Sequence, residues 1–128
     1  MAITKNKIIN FEIKKGSFNG ENFMDFVTDM IPKKYKKYHM LMDNARIHHY
    51  KKFTQKMDEL GSKIIYNIPY SPEFNPIEYL FNTFKQKLSS NYIDTYQDLL
   101  MFINTFVLEI NKVGLHEYFK KSYSNLFD

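Results

Sequence analysis

Polar and apolar residues alternate near the start of the chain. Ile9, Phe11 and Ile13 are interleaved with Asn10, Glu12 and Lys14, and Lys5-Asn6-Lys7 interrupts the run. A period of two places successive side chains on opposite faces, so residues 1–4 and 8–14 are expected to form a hairpin with a short first arm. Gly16 and Gly20 break this pattern. Phe23, Phe26, Val27, Met30 and Ile31 then recur at helical spacing, predicting an amphipathic helix that stops near Pro32. The apolar run 39–42 ends at Asp43-Asn44, as a short buried strand running into a loop would. Phe53, Met57 and Leu60 mark the inner face of a helix closed by Gly61, and Ile64-Ile65 opens a further strand ending near Asn67.

Pro69, Pro72 and Pro76 stiffen the next connection, because each fixes its own φ and disfavours helix in the preceding residue. Asn75 is placed to cap a helix with Pro76 at its first position, and Ile77, Leu80, Phe81, Phe84 and Leu88 share one face of that helix. Glu78, Asn82 and Lys85 share another. Asp94-Thr95 precedes a strongly amphipathic helix built on Leu99, Phe102, Ile103, Phe106, Val107 and Ile110, and residues 115–123 read as a short final helix. The order strand, strand, helix, strand, helix, strand, then helices is that of an α/β fold.

Composition narrows the class. At 128 residues, 44% hydrophobic and 17% aromatic, the chain suits one folded domain, 1–128, without internal repeats or long linkers. No apolar run is long enough to span a bilayer and the opening residues lack the apolar core of a signal peptide, so no membrane partner is expected. The expected location is intracellular: nuclear in a eukaryote, otherwise cytoplasmic. With no cysteine, any metal is left to carboxylates and histidines, and oxygen ligands point to Mg²⁺ or Mn²⁺. The net charge of +4 suits a polyanionic partner, but an A+T-rich coding bias gives the same excess of lysine, so only clustering is informative.

Two basic groups stand out. Lys33, Lys34, Lys36 and Lys37, with Tyr35 and Tyr38, read either as a phosphate- and base-contacting segment or as a solvated linker. Arg46, His48, His49, Lys51, Lys52 and Lys56 follow Asp43 directly, which favours contacts to a nucleic-acid backbone. The acids carry two readings each. Asp43 and Asn44 either bring chemistry to a strand end or form a turn or helix cap. Glu78 is either a cation ligand or a capping-box glutamate folded onto the Asn75 backbone. The helix dipole favours its charge in both cases.

Asp-Asn-Ala-x-x-His at 43–48, taken with Pro-Tyr-Ser-Pro-x-x-Asn-Pro-Ile-Glu at 69–78, resembles the catalytic domain of mariner-type DDE transposases. The intervening residues 44–77 number 34. In that resemblance Asp43 is the second catalytic acid and Glu78 the third, both of them metal ligands, while Phe81 replaces the usual tryptophan and Lys85 matches a helix lysine. Asn67-Ile68 replace Leu-Pro. The resemblance implies an RNase H-like fold, a mixed sheet flanked by helices, and a DNA substrate met by Asn44, Arg46, His48, Lys51, Lys52, Tyr70, Ser71, Asn75 and Lys85.

It also implies a first aspartate on a central strand upstream of Asp43. Glu12, Glu21, Asp25 and Asp29 are the only earlier acids, and none fits: Glu12 is expected mid-strand, and Asp25 and Asp29 on the polar side of a helix. The chain is therefore expected to lack the family's first strand, with a shifted hairpin, a second copy or an upstream segment filling the gap. Two ions about 3.5–4 Å apart need three carboxylates, so the expected function is that of the C-terminal part of a DNA-cleaving and strand-transferring domain, inactive alone. The alternative is a non-catalytic nucleic-acid-binding or assembly module derived from a transposase.

Overall fold

The computed structural model describes residues 1–30 and 38–127. Lys33, Lys34, Tyr35, Lys36 and Lys37 of the first basic group, and Ile31 and Pro32 at the expected helix end, lie outside the described residues. The elements are β1 (Ala2–Ile3), β2 (Ile8–Asn10), α1 (Gly20–Met30), β3 (Met40–Met42), α2 (Lys51–Leu60), β4 (Ile64–Tyr66), α3 (Pro76–Ser89), α4 (Tyr96–Val113) and α5 (His116–Phe127). Short 3₁₀ turns occupy Arg46–His49 and Pro72–Phe74. This is a mixed α/β protein with the element order that the hydrophobic periods predict. Its strands form two ladders, β1 with β2 antiparallel and β3 with β4 parallel.

The chain divides into two compact units. A split unit joins Met1–Phe11 to Glu73–Asp128, and a continuous unit comprises Glu12–Pro72.

In the split unit the expected hairpin is present but shorter, because β1 offers partners only from Ala2 to Ile3 and its pairing runs out at Asn10. Glu12 is consequently an exposed residue beyond the strand, not a mid-strand acid. Ile8, Leu80, Phe106, Ile110 and Leu115 form the core, with Phe84, Val107, Tyr118 and Phe119 packed around them. Leu80, Phe106 and Ile110 come from the helical stripes, because residues three and four apart share a face. A capping box starts α4: the Thr95 hydroxyl accepts from the Asp98 N–H at 3.1 Å, and the Asp98 carboxylate accepts from the Thr95 N–H at 3.1 Å.

In the continuous unit Val27, Met42, Phe53 and Met57 form a second core. Helix α1 is capped reciprocally: Asn19 Oδ1 accepts from Asn22 N–H at 2.8 Å and Asn22 Oδ1 accepts from Asn19 N–H at 3.1 Å. Gly20 is required here, since a Cβ would lie 2.4 Å from the Tyr50 ring. Gly61 ends α2 in the left-handed region, φ 69°. The register of the parallel pair is Met40 with Ile64, Leu41 with Ile65 and Met42 with Tyr66. Only one face of this ladder is covered: Met42 is buried, whereas Leu41 and Ile65 are 41% and 49% exposed. The expectation of a buried strand therefore holds for alternate residues only, as the period-two geometry of a one-sided sheet dictates.

Candidate functional site

Asp43 follows the last residue of β3, so the strand delivers its carboxylate to the C-terminal edge of the parallel ladder. The ladder is prolonged past Tyr66 by the Asn67 N–H, which donates to the Met42 carbonyl at 2.8 Å. Asp43 Oδ1 accepts from the Ala45 N–H at 2.9 Å, closing a local turn. The same oxygen lies 2.8 Å from His48 Nδ1. The turn reading of Asp43 is thus realised, yet it uses one oxygen. Among the described residues Oδ2 has no partner, and the side chain is 52% exposed.

His48 sits on the 3₁₀ turn that precedes α2. Its Nδ1 faces the Asp43 carboxylate and, at 3.1 Å, the Asp43 carbonyl. A carbonyl only accepts, so we assign the proton to Nδ1, which leaves the Nε2 lone pair of the neutral ring free. The ring packs on Phe23, centroids 4.4 Å apart, and is 17% exposed. Tyr66, at the end of β4, donates its hydroxyl to the His48 carbonyl at 2.8 Å. Burial raises the Tyr66 phenol above its ordinary value.

Asn44 does not cap a helix; α2 begins after Tyr50 with no side-chain cap. Its Nδ2 donates to the Asn67 carbonyl at 2.6 Å and its Oδ1 meets His49 Nε2 at 3.3 Å, while the His49 ring stacks on Tyr66 at 4.2 Å. Arg46, Lys51 and Lys52 are exposed and, among the described residues, unpaired. Tyr70 is exposed, and Ser71 donates its hydroxyl to the Pro69 carbonyl at 3.2 Å. The continuous unit therefore brings Asp43 and His48 into direct contact, while Asn44 beside them bonds Asn67 and His49 instead.

In the split unit, Asn75 is buried and caps α3 through Oδ1, which accepts from the Ile77 N–H at 3.4 Å. Its side chain is committed to the helix. Glu78 lies in the first turn, part-exposed, and the capping-box geometry is not formed: among the described residues its carboxylate has no hydrogen-bond partner. Lys85 is exposed further along α3.

Taken singly, Asp43 in the continuous unit and Glu78 in the split unit each present a carboxylate oxygen without a partner among the described residues, the donor type that a hard divalent cation takes. Among the described residues no group of three His, Asp or Glu side chains is assembled for a metal. Sequence reasoning missed the supporting residues Phe23, Tyr66 and Asn67. Their only signal is that two of them are aromatic or polar residues at element ends.

Among the described residues no helix is long and apolar enough to cross a membrane. A comparison with curated proteins gave no match. A family model described as DDE superfamily endonuclease matches residues 1–100, which include the strand-end acid, the proline-rich turn and the whole of α3. The chain belongs to the DDE superfamily endonuclease family.

Proposed function

We propose that this chain is part of a mariner-type DDE transposase domain, RNase H-like in architecture and related to metal-dependent DNA strand cleavage and transfer. Asp43 and Glu78 are its acids and Mg²⁺ or Mn²⁺ its cofactor. The observation that carries the reading is Asp43 itself: a carboxylate at the C-terminal end of a parallel strand, fixed through one oxygen and, among the described residues, without a partner at the other. Strand C-terminal ends are where α/β folds bind ligands. Asp43 and Glu78 are the residues that would serve such an ion, and the chemistry it would supply is Lewis-acid polarisation of a phosphoryl oxygen and activation of an attacking hydroxyl. Arg46, Lys51 and Lys52 supply exposed, unpaired positive charge for the DNA backbone.

On the acid count the chain does not cleave DNA alone. Glu12, Glu21, Asp25 and Asp29 are all exposed side chains, none of them held at a strand end. A supercoiled-plasmid nicking assay with Mg²⁺ or Mn²⁺ is expected to show no divalent-dependent product. Joining the chain to an upstream segment that carries a first-strand aspartate should restore cleavage, and Asp43→Asn or Glu78→Gln should abolish it again. Nicking by the chain alone, lost in both variants, overturns the inactivity. Failure of the joined chain to cut supports the second reading, a nucleic-acid-binding module, which the unpaired basic residues also favour.

A further inference from the structure

Tyr70 combines three properties that rarely occur together. It has φ 56°, the only positive φ at a non-glycine position among the described residues. Its side chain is fully exposed, at 103% of the reference area. Among the described residues that side chain has no hydrogen-bond partner. Left-handed backbone is unfavourable for a bulky L residue, because Cβ crowds the following carbonyl. An exposed ring recovers none of that cost by packing.

The neighbours hold the conformation. Asn67, buried beneath the turn, donates from Nδ2 to the Ser71 carbonyl at 2.8 Å, spanning Tyr70. Asn67 is itself tied to the Asp43 loop, its carbonyl accepting from Asn44 Nδ2 at 2.6 Å. Pro69 restricts the chain on one side and the Ser71 hydroxyl bonds back to the Pro69 carbonyl at 3.2 Å. The bracing comes wholly from residues around Tyr70. A glycine would sit in this turn with less strain, so the ring serves a contact outside the fold.

We infer that Tyr70 is a stacking platform for an unpaired base of the DNA substrate. This rests on the reading of DNA as the partner. A rigid exposed π-face on a braced turn suits a nucleobase, and bases inside a duplex already have both faces covered, so the ligand is a base out of the stack. Exposed Arg46, Lys51 and Lys52 on the same unit provide the sequence-tolerant backbone attraction that such stacking accompanies.

The test uses fluorescent oligonucleotides with 2-aminopurine either in single-stranded DNA or fully paired in a duplex, at one fixed salt concentration. Wild type and Tyr70→Phe should quench the single-stranded probe. Tyr70→Gly should lose the quenching and bind that probe about 5- to 150-fold more weakly, the range expected for one base–aromatic stack. Its duplex affinity should stay unchanged, and its melting temperature should equal or exceed that of wild type, since glycine relieves the turn. Equal single-strand binding by wild type and Tyr70→Gly overturns the stacking role while leaving the DNA reading intact. Wild-type protein that binds neither probe overturns both. Unchanged DNA binding with a loss of self-association in Tyr70→Gly would assign the ring to a protein contact instead.

Discussion

His48 Nδ1 lies 2.8 Å from Asp43 Oδ1, so a histidine five residues downstream holds the strand-end acid in one orientation. The 3₁₀ turn makes this possible by folding the chain back at Arg46–His49, and Phe23 fixes the ring plane from α1. His48→Phe keeps the packing and removes the donor. It should lower stability by about 0.5–1 kcal/mol, the modest value expected for a hydrogen bond to a half-exposed carboxylate. His48→Asn, whose amide nitrogen can occupy the Nδ1 position, should recover most of the loss. Urea denaturation of the three proteins measures this; a loss in His48→Asn with none in His48→Phe would show that the ring, not the bond, matters.

The Tyr66 phenol should leave a signature in alkali. Its raised value means that the folded state holds the proton more tightly than the unfolded chain does. That contribution is complete below the ordinary phenol value near 10 and is lost as pH rises through the higher folded value. Tyr66→Phe should cost about 1 kcal/mol at neutral pH, because the bond to the His48 carbonyl is gone. Above pH 10 the gap between the two proteins should narrow. Urea midpoints from pH 8 to 11.5 give the comparison, and taking the difference cancels the other nine tyrosines of the ten in the chain.

Two neighbours at the start of α3 should respond differently to mutation. Asn75→Ala removes a buried cap and should destabilise by about 1–2 kcal/mol. Glu78→Gln removes a charge whose carboxylate bonds to no described residue, leaving only the helix-dipole contribution of about 0.3–1 kcal/mol. Thermal melts followed by circular dichroism will separate them. A loss at Glu78 as large as that at Asn75 would mean that the carboxylate caps the helix after all.

DNA binding should be weak, sequence-tolerant and steeply salt-dependent, since the exposed basic residues of the continuous unit are phosphate-type contacts. Anisotropy at two salt concentrations is sufficient. Tight binding that barely changes with salt would contradict the assignment of Arg46, Lys51 and Lys52.

Periodicity carried the element order well, because the apolar stripes of Phe53 and Met57 or of Leu80, Phe106 and Ile110 are local consequences of which face meets a core. Local end signals were legible too: Asn75 before Pro76, Asp94-Thr95 before α4, and Gly61 are read from neighbouring residues alone. What escaped depends on partners distant in sequence. Leu41 reads as core, but whether a strand is covered on one face or two is set by what packs there. The length of β2 was set by a partner strand of two residues. The Asp43 group was half legible: the acid and His48 stand in one motif, whereas Phe23, Tyr66 and Asn67 enter it from separate elements.

The division of the split unit imposes an order on folding. Its hairpin is tied to the far end of the chain: the Ile8 N–H donates to Asn111 Oδ1 at 2.8 Å, the Leu115 N–H to the Lys5 carbonyl at 2.9 Å, and His116 Nε2 meets Asn6 Oδ1 at 3.1 Å. During synthesis the first strands must therefore wait, unpacked, until α4 and α5 have left the ribosome. Glu12–Pro72 has every element of its own core in hand much earlier and can collapse first. Because the entropy of closing a loop grows only slowly with its length, the long wait costs the finished protein little. The burden falls on the nascent chain, whose Ile3, Ile8 and Phe11 remain exposed to chaperones and to mispairing until their partners arrive.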